Sequence, residues 1–189
     1  MSSQDHCSGS PSGGSAVFRT TRLSVRRWRP ADEPDLLTLY SIDRVVQWVD
    51  DGQALSPSEA ARWMEVTFSN YQKHGYGMFA IEEERGAKTI GFGGLVHPNG
   101  QLVAEIKYAF FPEVWGQGFA TEFVQGLLKW AQFAHSMIHA IATVASENLA
   151  SQRVLVKSGF RQCEARIESD GSRTEVFEVH LRTRQSSHS

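Results

Sequence analysis

The positions of apolar residues after residue 118 predict an amphipathic helix. They recur at intervals of three and four, so that one face of the helix is apolar. The positions on this face are Ala120, Phe123, Val124, Leu127, Leu128, Ala131 and Ala134. Residues 102–111, before this helix, form a run that is typical of a strand. Residues 112–122 join the two elements, which gives the order strand, glycine-rich turn and helix.

Alternating and helical patterns elsewhere predict the remaining elements. Six further strands are predicted at residues 18–28, 78–83, 89–96, 138–145, 163–168 and 173–181. Three further helices are predicted at residues 32–42, 57–74 and 148–158. Ser56-Pro57-Ser58-Glu59 is a capping box that starts the second of these helices, and Gly75 ends it. Asn148 is the expected N-cap of the last helix.

The glycine-rich turn predicts a site for a phosphate or a pyrophosphate. Gly116 and Gly118 remove side chains where the chain turns, and the free N–H groups at the start of the following helix point outward. The helix dipole adds positive potential there. The turn is not a P-loop, because no Lys-Ser/Thr pair follows the glycines, and it lacks the third glycine of a Rossmann fingerprint. A plain tight turn is the alternative interpretation.

Composition places the chain among ordinary soluble globular proteins. It has 189 residues, of which 41% are hydrophobic and 21% are charged, enough for one domain with a sizeable core. The formal net charge of -2 gives no reason to expect nucleic acid or an anionic membrane as a partner. No apolar run reaches the length of a membrane span, and the N-terminus lacks a hydrophobic signal core. We therefore expect a cytoplasmic protein.

The ends of the chain and its cysteines set further limits. Residues 1–15 are rich in Ser and Gly and are expected to form a disordered tail, followed by one domain over residues 16–183 and a polar tail over residues 184–189. Cys7 and Cys163 are too few for a disulfide framework. The seven His residues show no ligand spacing along the chain, so no metal is expected.

Three stretches, in this order and at this spacing, resemble a known family. The first is Thr21-Arg22-Leu23 with Arg29-Pro30-Ala31-Asp32. The second is Glu105-Ile106-Lys107-Tyr108 followed by Trp115-Gly116-Gln117-Gly118-Phe119-Ala120-Thr121-Glu122. The third is Glu147-Asn148-Leu149-Ala150-Ser151 with Lys157-Ser158-Gly159-Phe160. Residues 17–182 thus resemble the GNAT superfamily of acyl-CoA-dependent N-acyltransferases, and specifically its Rim-type branch of ribosomal-protein N-terminal acetyltransferases.

The resemblance implies an α+β (mixed α/β) fold, the GNAT fold, with a mostly antiparallel, splayed central sheet of about seven strands flanked by about four helices. It also implies acetyl-CoA as a co-substrate. The amides of residues 117–121 would hold the pyrophosphate, and the pantetheine arm would lie between the strands at Phe110 and Thr143. Gly118 and Ala120 match the family's loop, whereas Trp115 replaces its Gln or Arg, which is usual in Rim-type relatives. The implied contacts to acetyl-CoA are Tyr108, Phe110, Trp115, Gly116, Gln117, Gly118, Phe119, Ala120, Thr121, Asn148 and Ser151.

Two residues are candidates for the chemistry. An amine that attacks a thioester must lose its proton, and the departing thiolate needs a proton or a hydrogen-bond donor. The resemblance places Glu105 beside the thioester as the base, acting through water; a surface strand carboxylate is the alternative. Many relatives use a Tyr acid where this chain has Leu155, so Ser151 is the expected substitute. A helix-capping serine is the alternative interpretation of Ser151.

The acceptor is expected to be a primary amine, such as a protein N-terminus, a small amine or an aminoglycoside-like compound. The resemblance implies that the first two helices and the last hairpin build its pocket, for which the candidates are Trp48, Asp50, Asp51 and Tyr76. The protein is expected to be a monomer or a homodimer. Two other classes stay open: a non-catalytic acyl-CoA-binding module and a generic nucleotide-binding domain.

Overall fold

The computed structural model describes residues 15–86, 88–168 and 171–181, which form one sheet and the helices that pack on it. The predicted tails, residues 1–15 and 184–189, lie outside the described residues except for Ser15. The strands are β1 Ala16–Arg19, β2 Leu23–Arg27, β3 Met78–Glu83, β4 Thr89–Val96, β5 Glu105–Phe110, β6 His139–Ala145, β7 Arg161–Gln162, β8 Arg166–Ile167 and β9 Arg173–His180. The α-helices are α1 Glu33–Tyr40, α2 Asp43–Val46, α3 Pro57–His74, α4 Phe119–His135 and α5 Leu149–Lys157.

The sheet has the strand order β1-β2-β3-β4-β5-β6-β9-β7, and β8 also pairs with β9. Every pairing is antiparallel except that of β5 with β6, which is parallel. The two parallel strands share one register pair, Glu105 with Ile141, and they diverge beyond it. The expected splayed, mostly antiparallel α+β architecture is confirmed. The described residues contain nine strands and five α-helices, where the sequence predicted about seven and about four.

Apolar side chains form a core on each face of the sheet. On one face α4 and α5 pack against the strands, with Phe123, Leu127 and Leu155 fully buried. On the other face α1, α2 and α3 cover β3, β4 and β5. Successive side chains of a strand point to opposite faces of the sheet, so β5 contributes to both cores. Ile106 packs in the first core and Ala109 in the second. Each face of β5 therefore carries its own row of side chains.

The signals at the ends of the helices act as the sequence predicts. The Ser56 hydroxyl accepts a hydrogen bond from the amide of Glu59, and the Glu59 carboxylate accepts one from the amide of Ser56. Gly75 ends α3 with a φ of 79°, a left-handed conformation that glycine adopts without a steric penalty. Asn148 caps α5, since its side-chain oxygen accepts a hydrogen bond from the amide of Ser151 at 3.1 Å.

Several predicted strands have different limits in the structure. The single strand predicted at residues 18–28 is a hairpin, because the Thr20 hydroxyl accepts from the amide of Leu23 and stabilises a turn. The strand predicted from residue 102 begins at Glu105, and Leu102 is 96% exposed. The strand predicted at residues 163–168 is the short β8, preceded by the equally short β7, and both pair with β9. Residues 43–46, which carried no prediction, form α2.

A buried ion cluster joins the first hairpin to the rest of the sheet. The Arg26 guanidinium, on a residue that is 2% exposed, donates to the Glu82 carboxylate of β3 and to the Asp32 carboxylate, each at 2.6 Å. Asp32 also accepts from the amide of Arg29 at 2.8 Å. Burial opposes ionisation of Asp32, but these donors outweigh it and hold the pKa of its carboxyl below the usual value. The cluster is stable only while all three charges are present.

We expect Arg26→Met to lower the free energy of unfolding by about 3–5 kcal/mol, because it leaves the buried Glu82 carboxylate without a counter-charge and leaves Asp32 with only the half-exposed Arg29, 3.2 Å away. Arg19→Met is the matched control. Arg19 belongs to the same hairpin as Arg26 and forms an exposed ion pair with Glu84, so its substitution should lower the free energy of unfolding by less than about 1 kcal/mol. Urea denaturation of both variants measures the difference. Equal losses in the two variants would contradict a structural role for the buried cluster.

Candidate active site

The divergence of β5 from β6 opens a gap in the sheet. The amide of Ile141 donates to the carbonyl of Ala104 at 3.0 Å, beside the single register pair. Further along, the contact between the strands passes through side chains, because the Lys107 ammonium donates to the Thr143 hydroxyl at 3.0 Å. Facing strand edges that do not pair can hydrogen-bond to an extended ligand. The gap therefore suits a chain-like molecule that lies between β5 and β6.

Glu105 lies at the closed end of this gap and is almost fully buried. Its carboxylate accepts hydrogen bonds from the Thr143 hydroxyl and from the Gln101 side chain, and it forms an ion pair with Lys107. Burial alone would raise the pKa of Glu105, but the charge and the hydrogen bond of Lys107, with those of Thr143 and Gln101, lower it below the usual value. Glu105 is consequently an ionised carboxylate at neutral pH.

Tyr108 and Ser151 meet on the opposite face of β5. The Tyr108 hydroxyl lies 2.7 Å from the Ser151 hydroxyl, which the Asn148 cap places in the first turn of α5. Burial raises the pKa of Tyr108 to about 12, so the phenol stays protonated and can donate to Ser151. Ser151 can then point its own proton at a neighbouring acceptor. Leu155, where the resemblance would place a Tyr acid, is fully buried in the core.

The loop between β5 and α4 lies at the open end of the gap. The Trp115 indole N–H donates to the carbonyl of Phe110 at 2.8 Å and ties the loop to the end of β5. Gly116 and Gly118 have φ values of 74° and 82°, which other residues rarely adopt. The first bond of α4 runs from the amide of Glu122 to the carbonyl of Gly118, so the preceding amides of the helix have no intrahelical acceptor. The loop thus presents donors to an anion.

Residues 22–161 match the family described as "Acetyltransferase (GNAT) domain". The chain belongs to the GNAT acetyltransferase family. It is 28% identical over 149 residues to the uncharacterized N-acetyltransferase YoaA of Bacillus subtilis (strain 168), a match that covers 77% of this chain and 83% of YoaA.

Solved structures of Rim-type enzymes have the same fold. A RimL ribosomal L7/L12 alpha-N-protein acetyltransferase in complex with coenzyme A is similar with a TM-score of 0.76 and 18% identity, over 88% of this chain and 98% of that one. An acetyltransferase of Salmonella typhimurium that modifies the N-terminal serine of L7/L12 is similar with a TM-score of 0.75 and 17% identity, over 89% of this chain and 100% of that one. The predicted likeness to Rim-type enzymes is confirmed for the fold. None of the described helices has the length and apolar character needed to cross a membrane.

Arg22 and Glu122 support the loop of this acetyltransferase, and the sequence analysis gave neither a role in the site. The Arg22 guanidinium donates to the carbonyl of Gln117 at 2.9 Å and to the Glu122 carboxylate at 2.6 Å. It also lies 4.2 Å from the centre of the Phe119 ring. Glu122 accepts further bonds from the Thr20 hydroxyl and the amide of Arg22. A glutamate in the first turn after the glycines was the available sequence signal.

The candidates for the acceptor pocket separate into two places. Trp48, Asp50 and Asp51 lie together in the connection after α2, where Trp48 is 41% exposed and Asp50 accepts a hydrogen bond from the buried Tyr40 hydroxyl. Tyr76 belongs to a different cluster, because its hydroxyl bonds to the ring of His97 at 2.9 Å. Helix α2, which precedes this connection, contacts the loop, since the Arg44 guanidinium lies 5.1 Å from the centre of the Trp115 ring.

We expect Lys107→Met to destabilise the protein by about 1–3 kcal/mol at pH 7, because it leaves Glu105 ionised and buried without its cation. Without Lys107, burial should raise the pKa of Glu105 above its unfolded value, so the loss should shrink as the pH falls from about 7 towards 4 and the carboxyl takes up a proton. Thermal denaturation across this range measures the effect. In a Glu105→Gln background, Lys107→Met should cause a loss of stability that does not change with pH. A pH-dependent loss in that background would contradict the assignment.

Proposed function

We propose that this protein transfers the acetyl group of acetyl-CoA to a primary amine by direct attack, with no covalent enzyme intermediate. The observation that carries the proposal is the gap between β5 and β6, which ends at the donors of the loop. The gap suits the pantetheine arm and the loop suits the pyrophosphate, two parts of one molecule. The coenzyme A complex of the RimL neighbour supports the choice of co-substrate.

The amides of residues 117–121 would hold the pyrophosphate, aided by the positive end of the α4 dipole. Arg22 holds the carbonyl of Gln117 and so fixes the loop between the two glycines. Trp115 fixes the other end of the loop at Phe110. The implied contacts at Tyr108, Phe110 and Asn148 lie along β5 and at the start of α5, the two elements that flank the gap beside β6. A bound cofactor would therefore meet a loop whose conformation is already set.

In the reaction, the nitrogen of a neutral amine attacks the thioester carbon, a C–N bond forms and the C–S bond breaks. The proton that the nitrogen loses passes through water towards Glu105, which is ionised and accepts it transiently. A carboxylate with a lowered pKa is a weak base, so Glu105 acts mainly by stabilising the cation that forms on the nitrogen. Thr143 and Lys107 keep the carboxylate in place.

Ser151 is assigned as the hydrogen-bond donor to the departing thiolate. The Tyr108 hydroxyl lies 2.7 Å from the Ser151 hydroxyl, and when the phenol is the donor of this bond the serine proton is free to point into the gap. A thiol has a pKa of about 8.5, so the thiolate is a fair leaving group and needs only a hydrogen bond at this stage. The N-terminus of α5 adds favourable potential for a negative charge. Tyr108 is thus a positioning residue and Ser151 the donor.

The acceptor is placed on the side of α1 and α2, at Trp48, Asp50 and Asp51, with Tyr76 further along the sheet. Two carboxylates and an exposed indole suit a cationic amine, which is attracted by the charges and can stack on the ring. This amine gives up one proton to the solvent before the attack, so that its nitrogen has a free lone pair. A protein N-terminus fits this description, and the modification of L7/L12 by two structural neighbours supports it. A small amine fits the same groups.

The test of this function is a thiol-release assay with acetyl-CoA and a panel of N-terminal peptides, polyamines and amino acids. We expect thiol release that depends on one class of amine. Gly118→Asp should abolish release and the calorimetric signal of coenzyme A binding, because a carboxylate would occupy the place of the pyrophosphate. Gly118→Ala controls for backbone strain alone and should retain measurable binding. Coenzyme A binding without turnover on any amine would instead identify a non-catalytic acyl-CoA-binding module.

For the leaving group, we expect Ser151→Ala to lower kcat by about 10²-fold with little change in coenzyme A affinity. Tyr108→Phe should lower kcat by about 10-fold or less, since it removes one orienting hydrogen bond. The double variant should resemble Ser151→Ala, because the two hydroxyls act as a unit. Ser146→Ala, just before α5, is the matched control. Equal losses in affinity and in kcat for Ser151→Ala would make the serine a cofactor contact.

A further inference from the structure

Two imidazoles and one carboxylate meet on the face of the sheet that carries Glu105. His139 and His180 are directly opposite each other in the antiparallel pairing of β6 with β9. Their rings are parallel within 3°, with centres 4.3 Å apart. Glu178 lies two residues before His180 in β9 and therefore projects from the same face. This arrangement depends on strand pairing and cannot be seen in the spacing of histidines along the chain.

We propose that His139, Glu178 and His180 bind a transition-metal ion, for which Zn²⁺ is the best-suited candidate. Each residue offers one ligand atom, and these three atoms all lie within 4.8 Å of one another. Imidazole nitrogen and carboxylate oxygen are ligands that zinc accepts, and three protein ligands leave a fourth position open. The site is separate from the acetyl-transfer chemistry assigned above.

The distances within the cluster fit coordination better than hydrogen bonding. The Nε2 atoms of His139 and His180 lie 3.5 and 3.6 Å from the Oε2 atom of Glu178. A charged hydrogen bond between such groups is about 2.7–2.9 Å long. Ligand atoms about 2.1 Å from a tetrahedral ion are about 3.4 Å apart, which is close to the two nitrogen–oxygen distances. The two parallel rings must turn towards each other when the ion binds, because the coordinating lone pair of an imidazole lies in the plane of its ring.

The buried nitrogen of His139 provides independent support. Its Nε2 atom is inaccessible to solvent and has no hydrogen-bond partner among the described residues. Buried polar atoms are nearly always paired, so an atom without a partner calls for an explanation. A metal ion between this nitrogen and Glu178 would satisfy it. The ion would also be held on the sheet side by a ligand that water cannot readily replace.

Arg161 orients the Glu178 carboxylate and also brings a positive charge close to the proposed metal site. The Arg161 guanidinium donates to the Oε1 atom of Glu178 at 2.6 Å, which leaves Oε2 facing the two imidazoles. The hydrogen bond from Arg161, followed by one from Cys163, lowers the pKa of Glu178 to about 2, so this ligand is ionised at neutral pH. The charge of Arg161 opposes a cation. Binding therefore depends on the two histidines as much as on the carboxylate.

The carboxylate of the His139–Glu178–His180 cluster lies two strands from Glu105, which is at the closed end of the gap between β5 and β6. Ile141 is in register with Glu105 on one side and with Glu178 on the other. Strands are about 4.8 Å apart, so Glu178 lies roughly 10 Å from Glu105 on the same face. The ion would sit beside the acceptor side of the sheet without reaching the carboxylate of Glu105.

The experiment is zinc titration of untagged, chelator-treated full-length protein by calorimetry, with cobalt(II) absorption as a second readout. We expect one ion per chain and the visible bands of a tetrahedral cobalt site. His139→Gln, Glu178→Gln and His180→Gln should each weaken binding at least tenfold. Melting temperatures without metal identify any variant that fails to fold.

A matched control comes from a second pair of histidines. The rings of His74 and His97 are also close, with centres 4.7 Å apart, but no third ligand completes a group there among the described residues. The His74→Gln/His97→Gln double variant should therefore retain the ion. Cys163→Ser should also retain it, because three ligands make the site. Retention in all three ligand variants, or loss in either control, would overturn the proposal.

Discussion

β5 and β6 run parallel inside a sheet that is otherwise antiparallel, and they share backbone contacts only where Glu105 meets Ile141. Antiparallel neighbours on either side hold each strand over most of its length, so the two halves of the sheet can separate without unfolding. The cost is a pair of strand edges whose polar groups lack a neighbouring strand. Such a gap persists because α4 and α5 pack across one face and continue the core from one half to the other.

Charge is buried in two ways on this framework. The Arg26 cluster has no exposed member among its three charges, and it joins a hairpin, a strand and the turn that leads to α1. Lys107, by contrast, is partly exposed, so water screens its pair with Glu105. The Arg26 cluster is rigid, and removing one of its charges lowers the free energy of unfolding substantially. The pair of Lys107 with Glu105 keeps one carboxylate ionised where a cationic group can approach from solvent.

Local signals explain what the sequence could predict. The capping box at Ser56 and the glycine at residue 75 set the limits of α3, and the apolar period set those of α4, because these devices involve neighbours in the chain. The hairpin at Thr20 was missed although the bond from the amide of Leu23 to the Thr20 hydroxyl is local, because the turn contains no Gly, Pro, Asn or Asp to mark it. The second contact of this hydroxyl, to Glu122, lies in another element and left no signal nearby in the chain. Pairs such as Tyr108 with Ser151 depend on the packing of α5 against the sheet. Leu102 was given to a strand although its side chain points into solvent, and composition alone did not reveal this.

The contact of Arg44 with the Trp115 ring joins α2, on the proposed acceptor side of the molecule, to the loop proposed to bind the cofactor. An exposed contact of this kind has a free energy of about 0.5–1 kcal/mol. If it forms in only one state of the loop, it couples the two binding sites, and that coupling must be reciprocal. Acetyl-CoA would then change the affinity for the amine by about fivefold at most, and the amine would change the affinity for acetyl-CoA by the same factor. The order in which the two substrates arrive would consequently be a preference and not an obligation.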